Sequence, residues 1–177
     1  PTLAVYVLLA SLVAPALVEV GLHPMAAHLF VLYFGMMSMI TPPIALASFA
    51  AASIAKADPV KTGFASCKFG WIAFVIPFMF AYSPSLLLIG ETSEVAWAVV
   101  TATFGMWLVS ASLAGYFARR LSPLMRGVFA VAGILALIPA GAFPGAIYTD
   151  AVGLVVGITA MILAYLNGRK AMEQAAT

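Results

Sequence analysis

The stretch Met39–Ala45 reads MITPPIA and lies inside an apolar run that extends from Met25 to Ala55. Two adjacent prolines remove two backbone N–H donors and disfavour helical geometry in the preceding residue, so a helix that enters this stretch must unwind. Lipid cannot satisfy the freed carbonyl oxygens, and irregular backbone at membrane depth persists only where protein buries it or a polar cavity meets it. The break is therefore either a packed kink or part of an ion or substrate site.

The composition places the chain in a membrane. Of its 177 residues, 64% are hydrophobic and 8% are charged, and the mean hydropathy is +1.12; a soluble domain carries roughly 25% charged residues. The single Cys67 allows no internal disulfide and no cysteine-rich metal site. We expect an all-α, multi-pass membrane protein: a transmembrane helix bundle with a discontinuous helix.

The apolar runs predict the spans. Leu3–Val18 is short for a full crossing, contains Pro15, and suits one arm of a re-entrant hairpin. Asp58 before Pro59 is typical of a helix start, with Asp58 as the N-cap. After the broken run, the predicted spans are Phe64–Tyr82, Val95–Phe117, Val128–Ala142 and Ala151–Leu166.

The charges predict the topology. The basic residues fall into three clusters, and the acidic residues Glu19, Glu91, Glu94 and Asp150 occupy the other connections. If the broken helix crosses once, every basic cluster is cytoplasmic and each of these acids is external, as the positive-inside rule expects. The three clusters are Lys56, Lys61 and Lys68; Arg119, Arg120 and Arg126; and Arg169 and Lys170.

The break has two interpretations. As a kink, its freed carbonyls are covered by neighbouring helices, and the Thr41 hydroxyl bonds the backbone. As a site, its unwound carbonyls and the hydroxyls of Ser38 and Thr41 offer hard oxygen ligands for a sodium ion without a carboxylate. The ion-binding hypothesis names Ser38, Met39, Ile40, Thr41, Pro42 and Ala45.

Other residues carry weaker signals. His28 is an interfacial hydrogen-bonding residue or, alternatively, a proton relay, and Tyr6 is a candidate for a substrate cavity. Gly141 with Gly145, and Gly153 with Gly157, have the spacing of small-residue helix packing. No hydrolase motif, phosphate-binding loop or single basic patch is present, so we expect neither an enzyme nor a nucleic-acid-binding protein.

The ordered motifs of the first ninety residues resemble the large membrane subunit of tripartite ATP-independent periplasmic (TRAP) transporters, especially fused permeases that work with TAXI-type solute-binding proteins. The motifs are Pro1, Thr2, Ala4 and Tyr6; Val13–Leu17; Ala27–Phe30; Ile40–Pro43 with Ala45; Ala57–Pro59 with Lys61–Gly63; and Tyr82–Pro84 with Leu86–Leu88.

The resemblance implies a sodium-coupled secondary transporter of the bacterial inner membrane that imports organic acids delivered by a periplasmic solute-binding protein. It implies a small membrane subunit or its fused equivalent as a further partner, and no cofactor besides the coupling ion. Pro1 and Thr2 would form a hairpin tip, with Tyr6 near the substrate cavity, and Ser38–Pro43 would form the facing ion-binding loop.

We therefore expect residues 1–90 to be the C-terminal part of a transport domain, and residues 91–177 to be additional transmembrane helices with a short cytoplasmic tail. Because the chain opens on Pro1 and Thr2 without an initiator Met, we expect an N-terminal half of the permease to precede it. The alternative is a structural or assembly subunit of a membrane complex with no ion or substrate site.

Overall fold

The computed structural model describes the backbone of residues 2–175 and the side chains of residues 2–166. Within this backbone the chain is all-α apart from one two-residue strand pair, in which Tyr116 lies opposite Arg120. The elements are α1 Thr2–Glu19, α2 Pro24–Met37, α3 Leu46–Ala55, α4 Pro59–Phe69, α5 Ile72–Tyr82, a 3-10 helix Pro84–Leu87, α6 Thr92–Ala114, β1 Tyr116–Phe117, β2 Arg119–Arg120, α7 Pro123–Leu137 and α8 Ala146–Ala175.

Four stretches of the described chain are long and apolar enough to cross a membrane. They are Thr2–Glu19, Pro59–Tyr82, Thr92–Ala114 and Ala146–Leu166, while α2, α3 and α7 are shorter apolar helices. The predicted class, an all-α membrane helix bundle, is confirmed. The hairpin role of α1 and the sidedness of the loops stay predictions.

Four predicted spans differ from the observed helices at their boundaries. The span predicted for Phe64–Tyr82 begins earlier, at Pro59, and is interrupted between α4 and α5. The span predicted for Val95–Phe117 corresponds to α6, which runs from Thr92 to Ala114, and Phe117 lies in β1. The span predicted for Val128–Ala142 ends earlier, because α7 stops at Leu137. Ile138 is extended, with ψ at 113°, as the steric demand of the following Pro139 requires. The last span begins earlier than Ala151, because α8 starts at Ala146.

The chain divides into two compact units, Pro1–Leu87 and Leu88–Thr177, here named unit 1 and unit 2. The roles expected for residues 1–90 and 91–177 stay predictions.

Three helices start with the same local device, an N-cap side chain followed by proline. In α4 the Asp58 carboxylate accepts a hydrogen bond from the Lys61 backbone N–H at 2.8 Å, which confirms the predicted cap. In α2 His23 Nδ1 accepts from Met25 N–H, and in α7 the Ser122 hydroxyl accepts from Met125 N–H. Each proline occupies a position where its missing N–H costs no helical hydrogen bond.

Unit 1 is held by helix pairs. Ala14 of α1 packs with Ala27 and Val31 of α2 in one buried cluster. On another side of α2, Phe30 and Phe34 contact Phe78 of α5 edge to face, with ring centroids 5.2 and 5.7 Å apart. The helices α3 and α4 pack on each other. These pairings place the Met39–Ala45 break beside α4.

Unit 2 is a bundle of α6, α7 and α8 whose backbones approach closely at glycines. A β-carbon on Gly105 would lie 2.8 Å from the Gly133 carbonyl oxygen, and one on Gly153 would lie 2.6 Å from the Ala136 nitrogen. Gly157 instead packs on the side chains of Phe104 and Leu108. The Gly153 and Gly157 spacing is therefore a packing motif, whereas Gly141 and Gly145 lie in the connection before α8.

The predictions that Glu94 and Asp150 occupy connections are wrong. Glu94 lies in the first turn of α6. Asp150 lies in the second turn of α8 and is 1% exposed. Pro144 and Gly145 end the irregular segment earlier than the apolar pattern indicates, since Gly145 takes a φ of +93° just before the helix begins.

Candidate functional site

The break between α2 and α3 is the irregular backbone that the sequence predicts. The helix α2 ends at Met37, residues 38–45 turn, and α3 begins at Leu46. The Pro42–Pro43 peptide bond is cis, and Ala45 adopts a left-handed conformation with φ at 37°. The discontinuous helix is thus present as eight non-helical residues between two helices.

The two prolines redirect the carbonyl oxygens around the break. In a continuous helix, the N–H groups at positions 42 and 43 would bond the carbonyls of Ser38 and Met39, and proline has no N–H group. The Met39 carbonyl instead accepts from Ala47 N–H at 2.9 Å, and the Thr41 carbonyl accepts from Ala45 N–H at 3.0 Å. The break therefore curls back on the start of α3.

Both predicted hydroxyl ligands bond back to α2, although Ser38 is the residue that follows the helix and Thr41 lies within the break. Ser38 Oγ donates to the Gly35 carbonyl and Thr41 Oγ1 donates to the Met37 carbonyl, each at 2.7 Å. A hydroxyl has one proton to donate and two lone pairs to offer. With the protons engaged on the helix, each oxygen could offer a cation only its lone pairs, and Cys67 Sγ lies 4.0 Å from Thr41 Oγ1.

Two side chains of the described residues contact the Ile40 carbonyl: a hydroxyl at a long distance and a thiol at a distance ordinary for sulfur. Ser48 Oγ lies 3.4 Å from it, and Cys67 Sγ lies 3.5 Å from it. The Ser48 hydroxyl has a closer partner, since it lies 2.8 Å from Ser66 Oγ, which in turn donates to the Thr62 carbonyl at 2.9 Å. Ser48 is 3% exposed, so this hydrogen-bonded chain is an interior part of the site.

One face of α4 covers the break, and sequence reasoning missed it. A β-carbon on Gly63 would lie 2.7 Å from Pro42 Cγ, and one on Gly70 would lie 2.9 Å from Ile40 Cδ1. Between these two glycines on α4, Ser66 contacts Ser48 of α3 and Cys67 contacts Thr41 of the break. Gly63, Ser66, Cys67 and Gly70 have the i, i+3, i+4, i+7 spacing of one helix face, and this run of small residues was the signal that could have identified it.

The two helix ends at the break carry opposite partial charges. The carboxyl end of α2 presents carbonyl oxygens and the amino end of α3 presents N–H groups, the negative and positive ends of the helix dipoles. The N-cap of α3 is Ala45, whose side chain makes no capping hydrogen bond. A cation is therefore favoured at the end of α2, and an anion at the start of α3.

The predicted substrate-cavity residues lie on α1. Tyr6 OH lies 3.1 Å from His28 Nδ1, so the structure joins Tyr6 to the histidine considered in the sequence analysis. Thr2 is the first residue of α1, and Pro1 lies outside the described residues. Val5 is the point where this part of α1 meets the end of α2, because a β-carbon on Gly35 would lie 3.3 Å from Val5 Cγ1.

Within the described residues, no three His, Cys, Asp or Glu side chains converge as metal ligands. The oxygen atoms near the break are those of hydroxyls and backbone carbonyls, which suit a hard monovalent cation better than a transition metal.

A broken helix in a bundle of apolar helices, with hydroxyl and carbonyl oxygens at the break, is the architecture of a multi-pass membrane transport protein. Residues 1–95 match the family model described as the tripartite ATP-independent periplasmic transporter, DctM component. The match covers more than half of the chain, so the chain belongs to this family of transporter permeases, which is not a family of enzymes. No curated protein and no solved structure matches the chain.

Proposed function

We propose that this chain is part of a sodium-coupled permease that imports organic acids delivered by a periplasmic solute-binding protein, at the bacterial inner membrane. The family supports the permease role. The observation that carries the sodium coupling is the pair of hydroxyls, Ser38 and Thr41, whose protons are engaged on α2 carbonyls.

The proposed ion site is the turn from Ser38 to Ala45. Sodium is held by Ser38 Oγ, Thr41 Oγ1 and carbonyl oxygens that the prolines release, and the carboxyl end of α2 adds a favourable partial charge. Met39, Ile40, Pro42 and Ala45 contribute through backbone geometry. Ala45 is buried, and Pro42 is fitted against Gly63, so this geometry is fixed from the α4 side.

The proposed substrate is an organic acid because the amino end of α3 attracts a carboxylate. Sodium bound at the end of α2 adds a positive charge close to that position. Binding of the ion then favours binding of the anion, which is a physical basis for their coupling. Pro1, Thr2 and Tyr6 are proposed to line the substrate cavity. A small membrane subunit, or its fused equivalent, is proposed as a partner of the permease.

Transport in proteoliposomes tests the proposal. We expect the intact transporter, supplied with its binding protein and a labelled organic acid, to accumulate substrate under an inward sodium gradient and not under a matched potassium or choline gradient. Uptake that is indifferent to sodium would contradict the coupling.

Thermal stability supplies a second measurement that does not need the substrate. A ligand that binds only the folded state at a hundred times its Kd stabilises that state by about 2.7 kcal/mol. We expect sodium chloride, but not choline chloride, to raise the Tm of the purified transporter. Equal Tm values in both salts would favour the alternative, a structural subunit whose Thr41-Pro42-Pro43 break is only a packed kink.

A further inference from the structure

Asp150 is a carboxyl group that the proposed transport site does not use. It lies in α8 of unit 2, outside the residues that match the permease family. It is 1% exposed and is among the largest fully buried side chains of the described chain. Such a group in an apolar helix is a functional candidate, because burial of a charge is expensive.

The two oxygens of Asp150 have different surroundings. Oδ2 accepts a hydrogen bond from the Trp97 indole Nε1–H of α6 at 3.1 Å. Oδ1 is buried and has no hydrogen-bond partner among the described residues. One neutral donor replaces only part of the hydration that a carboxylate loses on burial, so the ionised form is incompletely satisfied here.

The elements packed on α8 are α6, α7 and the strand pair β1–β2. The strand pair carries Arg119 and Arg120, but it follows the carboxyl end of α6, whereas Trp97, the partner of Asp150, lies near the amino end of α6. On α6, the charged groups nearest in sequence to Trp97 are Glu91 and Glu94, which are exposed and acidic. On α7, the titratable residue is Arg126 near its start, and its Nε donates to the Ser112 carbonyl. On α8, the titratable neighbour is Tyr148, which is 74% exposed.

The helix dipoles do not replace a cation. Gly153, one turn after Asp150, packs on α7 at Ala136, so Asp150 lies near the carboxyl end of α7, where the partial charge is negative. The amino end of α8 is positive, but Asp150 is the fifth residue of that helix and this effect falls off within the first turn.

We propose that Asp150 and Trp97 form a proton-binding site in unit 2. The Asp150 carboxylate takes one proton onto Oδ1 and becomes a neutral carboxylic acid, while Trp97 Nε1–H donates to Oδ2 in both forms. The proton comes from water at the nearby ends of α6 and α8 and returns there when the pH rises. The site binds a proton in preference to a metal cation, because Asp150 is its one carboxylate and the donor beside it is an N–H group.

Infrared spectroscopy of the purified intact protein tests the site. We expect a carboxylic C=O band at about pH 5, where ordinary carboxyl groups are mostly ionised, that shifts in D₂O, persists in Glu94→Gln and is lost in Asp150→Asn. Raising the pH should remove the band. Absence of an Asp150-dependent band at about pH 5 would overturn the proposal, as would a band present in choline chloride and lost in sodium chloride, which would indicate a sodium site.

Trp97→Phe supplies a second variant in case Asp150→Asn does not fold. Removing the indole N–H takes away the one donor that favours the carboxylate, so we expect the band to persist to higher pH than in the parent protein. An unmoved pH dependence would show that Trp97 is only a packing residue and would overturn the two-residue site. A Trp107→Phe variant is the matched control, because Trp107 lies on the same helix and packs on Phe117.

Discussion

Unit 1 and unit 2 differ in how their apolar helices pack and in how their backbone groups are hydrogen-bonded. Unit 1 interrupts a helix at Pro42 and Pro43 and satisfies the irregular backbone with hydroxyls and turned-back N–H groups. Unit 2 keeps its helices regular and brings them together at Gly105, Gly133 and Gly153. The first arrangement leaves oxygen atoms that a ligand can use, whereas the second leaves van der Waals contact and a single buried carboxyl group.

The difference separates residues that set stability from residues that set ligand response. A change at a glycine contact in unit 2 should alter the free energy of unfolding and leave sodium binding intact. A similarly small substitution at the break in unit 1 should weaken sodium binding more than it lowers the free energy of unfolding. Four predictions test this division, starting with the largest expected effect.

Gly133→Ala should lower the stability of unit 2 by about 1–3 kcal/mol, the usual cost of overpacking. The new β-carbon would lie 2.8 Å from the Gly105 carbonyl oxygen and 3.0 Å from the Val109 nitrogen, so two backbones must separate. The measurement is denaturant unfolding of the purified protein followed by tryptophan fluorescence.

Gly127→Ala is the matched control on the same helix, because a β-carbon there meets nothing within 4 Å. It should be neutral or stabilising by up to about 1 kcal/mol, since alanine is the better helix former. Equal losses in the two variants would show that the glycine contact does not hold unit 2 together.

Gly63→Ala should weaken the sodium response of unit 1 more than its stability. Its β-carbon would lie 2.7 Å from Pro42 Cγ, and the proline ring cannot rotate away, so the break must shift against α4. Sodium-dependent Tm values of Gly63→Ala and Gly133→Ala compare the two units directly. If Gly133→Ala lost the sodium response and Gly63→Ala kept it, the division between the units would be reversed.

Thr41→Ala and Ser38→Ala should each weaken sodium binding by about 1–3 kcal/mol, because each removes one oxygen and leaves a neighbouring group unpaired. Thr41→Ser keeps the hydroxyl and should retain the response. The assay is uptake against sodium concentration in the intact transporter.

Ser53→Ala is the control for lost hydroxyls, since Ser53 Oγ donates to the Phe49 carbonyl in the same way but lies away from the break in α3. Unchanged sodium dependence in both Thr41→Ala and Ser38→Ala would leave the break as a kink.

Much of unit 1 could be predicted from sequence because its signals are local. Two adjacent prolines specify a break whatever packs around them, and Asp58 before Pro59 specifies a helix start. Local signals do not specify which neighbour covers the break. The contacts of Gly63, Ser66 and Cys67 are with Pro42, Ser48 and Ile40, which lie between 18 and 27 positions earlier. The identity of a small residue does not indicate which distant residue it contacts.

Unit 2 was harder to predict because its decisive feature is a long-range contact. Charged residues are typical of connections, so the sequence predicts Asp150 in a loop, but its hydrogen-bond partner Trp97 lies 53 positions away in the chain. The glycine spacing was equally ambiguous: Gly153 and Gly157 pack, while Gly141 and Gly145 have the same spacing and lie in a connection.

The smallest predicted effect compares the same helix-start device in both units. Asp58→Ala should cost about 1 kcal/mol, within the range of about 0.5–2 kcal/mol for a lost N-cap, and Asp58→Asn should cost less. Ser122→Ala should cost less than Asp58→Ala, because its bond to Met125 N–H is 3.3 Å long against 2.8 Å for Asp58 to Lys61 N–H, and because a carboxylate also favours the positive helix end. Denaturant unfolding with and without sodium is the measurement.

Since neither cap contributes an oxygen to the break, the sodium-dependent gain in stability should be the same in both variants as in the parent protein. A larger loss from Ser122→Ala would contradict the ranking of the two caps. A sodium gain that disappears in Asp58→Ala would mean that the start of α4 belongs to the ion site and that unit 1 does not separate stability from ligand response.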